Sequence, residues 1–136
     1  MRIVNDLKMH HICIQTNDYE LSKEFYTNVL DFEIVKETKN FHGRDFNTWL
    51  KLNDFYIELQ TGKSKLKKFE KETESLVHFA LETRNIKKTL KTILDKNYNH
   101  FVKKEEQILY TVENGQLFKI IAPEGTIVEI REIGEV

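Results

Sequence analysis

Apolar positions along the chain follow two rhythms. Residues 11–16, His-Ile-Cys-Ile-Gln-Thr, and 78–83, His-Phe-Ala-Leu-Glu-Thr, alternate with a period of two and are rich in β-branched or aromatic residues, which predicts strands. A stretch of helical period follows each. Leu21, Phe25, Val29 and Leu30 make one apolar stripe, and Ile86, Leu90, Ile93 and Leu94 make the other. Asp18 and Asn85 stand where N-caps belong, and the helices are expected to end at Leu30-Asp31 and Lys96-Asn97. Strands are then predicted over 32–38, 47–52 and 55–60 in the first half, and over 101–104, 107–113, 116–122 and 126–131 in the second. The second half thus has one strand too many, and one of its middle pieces is expected to be a short extension. Asn114-Gly115 is the strongest hairpin signal, and Asn53-Asp54 and Pro123-Glu124-Gly125 are equivalent turns.

These rhythms repeat. His78 lies 67 positions after His11, and the two strands agree position by position except at Cys13/Ala80. Tyr56-Ile57-Glu58-Leu59 is echoed 71 positions later by Ile127-Val128-Glu129-Ile130, so the second half has gained about four residues, a loop-sized change. The pattern predicts an α+β fold of two tandem βαβββ modules, about 8–62 and 75–133, joined by a linker over 63–74. A chain of 136 residues suffices for one packed core and is short for two independent ones, so a single domain over 1–136 is expected.

Charge narrows the partners. The 21 Lys and Arg are matched by 22 Asp and Glu, leaving no net field for a nucleic acid or an anionic membrane surface. The densest basic stretch, Lys63 to Lys71, is balanced at once by Glu70 and Glu72 and reads as a solvated linker. No run approaches a membrane span, and residues 1–6 lack the apolar core of a signal peptide, so a cytoplasmic protein is expected. Cys13 is the only cysteine, which excludes an internal disulfide and a multi-cysteine zinc site within one chain.

Candidate chemistry is therefore carried by His, Asp and Glu. Alternation puts His11 on a face with Cys13 and Gln15, His78 with Ala80 and Glu82, Glu58 with Tyr56 and Gln60, and Glu129 with Ile127 and Arg131. Each carboxylate stands between apolar neighbours in a strand that reads as buried, where it needs a partner or a cation. A lone strand histidine is ordinarily structural and an isolated strand glutamate ordinarily faces water. Here four positions are correlated by the repeat. Approximate two-fold symmetry would make them a His-Glu-His-Glu set suited to Ni(II), Co(II), Mn(II), Fe(II) or Zn(II), six-coordinate with two waters. His10 has the opposite parity and is expected to point with Ile12 and Ile14 toward the helices, while His42 and His100 fall in loops.

Two segments carry a family resemblance: 10–14, His-His-Ile-Cys-Ile, leading through Asp18 to Ser-Lys-Glu-Phe-Tyr-Thr-Asn-Val-Leu-Asp-Phe at 22–32, and Ala-Pro-Glu-Gly-Thr-Ile-Val-Glu at 122–129. They resemble the vicinal oxygen chelate superfamily, which includes glyoxalase I, methylmalonyl-CoA epimerase, fosfomycin thiol transferases, extradiol dioxygenases and bleomycin-sequestering proteins. The resemblance covers nearly the whole chain. Its usual Leu-Gly-Phe after the first helix reads Leu30-Asp31-Phe32 here, a change that Asp tolerates because it can enter the left-handed region.

The resemblance implies modules curved into a partly open mixed sheet around a metal-containing cleft, with one divalent ion (Ni, Zn, Co, Mn or Fe) on His11, Glu58, His78 and Glu129. The complete set is similar to that of glyoxalase I. It implies a metal-dependent lyase or isomerase that moves a proton next to a carbonyl through a metal-stabilised ene-diolate, with Glu129 or Glu58 as the base. The Arg and Asn that contact glutathione in that enzyme are Gln15 and Gly62 here, which leaves the thiol partner open. Gln15, Arg44, Trp49, Tyr56, Gln60 and Arg131 are the pocket candidates, Arg44 for an anionic group of a small-molecule substrate. The resemblance also implies a homodimer. The rival readings are a non-catalytic protein that sequesters a drug or metabolite, and a metal-dependent thiol transferase or dioxygenase in which one Glu does not bind the ion.

Overall fold

A computed structural model describes residues 6–67, 75–113 and 115–134. The end of the basic stretch and most of the linker (68–74), the first five residues and Asn114 of the expected hairpin lie outside them. The chain divides into two compact units, with the boundary in sequence between Leu66 and Lys67.

The first unit is built from β1 (His11–Thr16), α1 (Tyr19–Glu24), a π-helical turn (Phe25–Val29), β2 (Glu33–Phe41), β3 (Arg44–Leu52) and β4 (Phe55–Thr61). Its sheet runs β1-β4-β3-β2, with β1 parallel to β4 and the rest antiparallel. Ile14, Leu50, Ile57 and Leu59 lie on the face whose side chains are buried. The π turn, closed by the Leu30 amide on the Phe25 carbonyl, widens the helix so that Phe25, Tyr26, Val29 and Leu30 are all buried. Leu21, predicted in that stripe, is instead 56% exposed, because the helix widens only after Glu24 and the stripe rotates. Asp18 occupies the N-cap position without a side-chain cap; its amide is held by the Thr16 hydroxyl at 2.9 Å instead. Asp31 does enter the left-handed region, at φ 64°. His42 and Gly43, both at positive φ, form the two-residue β2–β3 turn between the paired Phe41 and Arg44.

The second unit contains β5 (Phe79–Thr83), α2 (Ile86–Asp95), β6 (Phe101–Val102), β7 (Tyr110–Val112), β8 (Gly115–Ile121) and β9 (Ile127–Glu132). Its order is β5-β9-β8-β6, with β7 also on β8. Here Asn85 does cap its helix, accepting from the Lys88 amide at 3.1 Å. Leu94 of the predicted stripe is 39% exposed, whereas Ile86 and Ile93 are buried.

The surplus strand is resolved by β6 and β7, which pair with opposite ends of β8 and together take the place that β2 holds in the first unit. Both are shorter than predicted. Between them Lys104 and Gln107 exchange backbone hydrogen bonds around Glu105 and Glu106, both at positive φ, a tight excursion that accommodates the residues gained by the second half. The α+β class and the βαβββ-like modules are thus present, as two mixed sheets, one in each unit. No helix among the described residues is long and apolar enough to cross a membrane.

Candidate functional site

In-register residues of neighbouring strands project to the same face, so pairing alone assembles the polar face of the first unit. Cys13 is in register with Glu58 and Glu58 with Trp49; His11 pairs with Tyr56, and Gln15 with Gln60, which pairs with Asn47. The opposite parity carries the buried apolar set. His11 Nε2 lies 3.6 Å from Glu58 Oε1, and the Trp49 ring meets the His11 ring edge-on with centroids 4.7 Å apart. Arg44 donates to Gln15 Oε1 and to the Thr61 carbonyl, both at 2.8 Å, which brings a guanidinium onto this face from β3. Gln60 is buried and donates to Asn47 Oδ1 at 2.6 Å, a packing role rather than an open lining.

His10 departs from its expected position. It precedes β1, so strand alternation does not govern it. Its ring is exposed, stacks on Tyr56 at 5.2 Å and places Nδ1 2.8 Å from His11 Nδ1, away from the helices. Cys13 is a second residue the sequence did not single out. Burial of its sulfur, then the charge and hydrogen bonding of Glu58, push its thiol up to about 11, with Arg44 opposing in part. It is a neutral donor to the carboxylate near pH 7, the opposite of an activated nucleophile.

The second unit repeats the pair in a different setting. Glu129 is 6% exposed; its Oε1 lies 3.4 Å from His78 Nε2 and its Oε2 3.6 Å from Arg131 Nη1. Arg131 therefore neutralises a buried carboxylate, as burial of a charge requires. Ala80 and Lys119 are the in-register neighbours of Glu129. Burial and then the charge of Glu129 push the Tyr110 phenol upward, marking it as a neighbour that no sequence spacing indicated. His78 Nδ1 is buried with no hydrogen-bond partner, which costs about 1–3 kcal/mol unless a ligand satisfies it.

Two ligands about 2.1 Å from one ion stand roughly 3.0–3.5 Å apart; the 3.4 Å gap of His78 and Glu129 falls within that range and the 3.6 Å gap of His11 and Glu58 just beyond it. The nitrogen–oxygen donor chemistry agrees with that fit, while the orphaned His78 nitrogen is Nδ1, the ring atom opposite the one that faces Glu129. Among the described residues no group of three or more His, Cys, Asp or Glu side chains forms a metal-holding cluster; the four candidates stand as two pairs. A concavity of about 340 Å³, lined by Asp31, Glu33, Lys51, Leu52 and Asn53, contains none of them.

The profile of the Glyoxalase/Bleomycin resistance protein/Dioxygenase superfamily matches residues 8–108. A glyoxalase family protein from Enterococcus faecalis superposes with a TM-score of 0.75 at 20% identity, covering 90% of this chain and 95% of that one. A glyoxylase/bleomycin resistance protein/dioxygenase domain from Frankia sp. EAN1pec gives 0.78 at 15% identity, covering 96% and 95%. TnmS3, an antibiotic binding protein from Streptomyces sp. CB03234, gives 0.67 at 12% identity, covering 97% and 100%. At these identities the likeness is one of fold. In sequence, Bacillus subtilis (strain 168) "Uncharacterized protein YwkD" is 39% identical over 49 residues, 36% of this chain and 38% of that protein's length.

Proposed function

The chain belongs to the Glyoxalase/Bleomycin resistance protein/Dioxygenase superfamily, which holds both enzymes and binding proteins, and from that premise we propose that it is a metal-dependent lyase or isomerase of glyoxalase type. The observation that carries the reading is the pairing of His11 with Glu58 and of His78 with Glu129, each within its own unit and at nearly equal spacing. Each pair supplies two ligands toward a divalent ion. When bound, such an ion supplies Lewis-acid polarisation of a substrate carbonyl. The chain's own residues then provide the proton transfer. Glu58 and Glu129 are the candidate bases, and they are not equivalent: Glu129 is tied on both oxygens to His78 and Arg131, whereas Glu58 faces His11 and a neutral thiol. A carboxylate free of an arginine is the better placed to give and take a proton, which favours Glu58. The substrate is a small carbonyl compound, and the active species is a homodimer, which sedimentation equilibrium checks.

The test begins with the metal content of protein purified without added metal, for wild type, Glu58→Gln and Glu129→Gln. Deuterium exchange from solvent is then followed with methylglyoxal and several thiols. Metal that is bound by wild type, diminished by either substitution and accompanied by exchange supports the reading. A wild type that cannot be loaded with Ni(II), Co(II) or Zn(II) overturns it in favour of a sequestering protein. Metal with no turnover on any carbonyl tested leaves the ligands and removes the lyase.

A further inference from the structure

Each unit brings one arginine to the face that carries its histidine–glutamate pair, and the two arginines are matched differently. Arg131 Nη1 faces the Glu129 carboxylate at 3.6 Å. Arg44 is held by neutral acceptors instead. Its Nη1 donates to Gln15 Oε1 and to the Thr61 carbonyl, each at 2.8 Å, and no carboxylate among the described residues forms an ion pair with it. The residue is half-buried, so its charge is partly withdrawn from water without a counter-ion.

The clamp also decides which part of the guanidinium remains. The group has five N–H donors in one fixed plane, two of them on Nη1. Both are engaged, which occupies the edge that Nη1 shares with Nη2. The Nε–H and the parallel Nη2–H of the other edge meet no acceptor among the described residues. That edge matches the two oxygens of a carboxylate in a bidentate pair. A phosphate group, at about −1.5 to −2 near neutral pH, would bring charge that one guanidinium does not match.

The sheet fixes where this edge lies. Gln15 is on β1, Thr61 ends β4 and Arg44 opens β3, so three strands hold the group. Gln15 is in register with Gln60, which is two residues along β4 from Glu58, a rise of about 6.6–6.8 Å. Cys13, in register with Glu58, feels the charges of Glu58 and Arg44 in opposite senses, so the clamped guanidinium and the candidate base act on the same place.

We propose that Arg44 anchors a carboxylate of the substrate, and that the substrate class is therefore an oxo acid whose carboxylate stands several bonds from the reacting carbonyl. The inference rests on the reading of the Glu58 face as the reacting one and names the substrate for it. The anchor itself needs no metal.

The experiment titrates metal-free protein with levulinate, an oxo acid, and with its neutral amide, following the Arg44 Nε–H in nitrogen-15 spectra. Wild type is compared with Arg44→Gln, which removes the charge, and with Arg44→Lys, which keeps the charge without the paired donors. The expected result is a preference of wild type for the acid of about tenfold or more, with the Nε–H signal shifted by the acid alone. The preference should be lost in Arg44→Gln and reduced in Arg44→Lys. Circular dichroism checks folding; should Arg44→Gln not fold, the wild-type comparison and the Nε–H shift still decide. A wild type that does not prefer the acid, or a preference unchanged in Arg44→Gln, overturns the proposal. An Arg44-dependent preference in a protein that takes up no Ni(II), Co(II) or Zn(II) supports the anchor and overturns the lyase. Metal binding and proton exchange without that preference keep the lyase and overturn the anchor.

Discussion

Glu37 shows how a single side chain is tuned by neighbours on other elements. The Tyr19 hydroxyl donates to its carboxylate at 2.6 Å while also meeting the Thr48 hydroxyl, and Lys23 approaches at 3.1 Å. Chiefly through the Tyr19 hydrogen bond, with Lys23 adding, the Glu37 carboxyl is held below its ordinary value of 4.5. A depressed folded-state value adds stability above the unfolded value, and that stability is lost as pH falls through the lowered one. Glu37→Gln should therefore cost about 1 kcal/mol at neutral pH, screening at this partly exposed pair keeping it small. Its urea stability should also fall less steeply than that of wild type below about pH 4.5; parallel pH profiles would count against the assignment. Gly62 is fixed by space. A Cβ there would meet the Ser64 carbonyl oxygen at 2.5 Å and Leu66 Cδ2 at 2.6 Å. Leu66 cannot easily yield, since Asn17 grips both its amide and its carbonyl, at 2.9 and 3.0 Å. Gly62→Ala should lower stability by about 1–3 kcal/mol in denaturant titration, and Gly62→Asn by at least as much.

At the scale of elements, the Thr that ends both repeated strands acquires a physical reason. Thr16 bonds the Ser22 hydroxyl at 2.8 Å and Thr83 bonds the Thr89 hydroxyl at 2.7 Å, each tying the end of a strand to the helix that follows. The helix starts differ nevertheless. Asn85→Ala should destabilise by about 1 kcal/mol, because it removes an acceptor from the Lys88 amide. Asp18→Ala should stay within about 0.5 kcal/mol, because no side-chain cap is lost. Equal losses in thermal unfolding would contradict that distinction.

For the molecule as a whole, the proposed ligand pairs predict coupling between metal and stability. An ion at about a hundred times its dissociation constant should stabilise the folded protein by about 2.7 kcal/mol, visible as a rise in melting temperature that a chelator reverses. Glu129→Gln should shrink the rise, because loss of one ligand raises the dissociation constant. It should also lower the metal-free melting temperature, because Arg131 and His78 lose their shared carboxylate.

What could be read from the chain itself was whatever depends on period and repetition. Alternation gave His11 its face with Cys13 and Glu58 its face with Tyr56, and the 67- and 71-residue offsets located a tandem module and the half that carries extra residues; that the two faces are one came from the Cys13–Glu58 register. Asp31 in the left-handed region was legible because few residues enter it readily. Alternation fails where a residue stands just outside its strand, which is why His10 was misdirected and its bond to His11 unforeseen. Nor could the sequence show that β6 and β7 share one strand's place, that Leu21 turns outward before a π turn, or that Arg131 neutralises Glu129. Each of these depends on which side chain arrives from a distant strand or on how a helix widens against a sheet. Such contacts are decided by packing in three dimensions, to which periodicity along one dimension is blind.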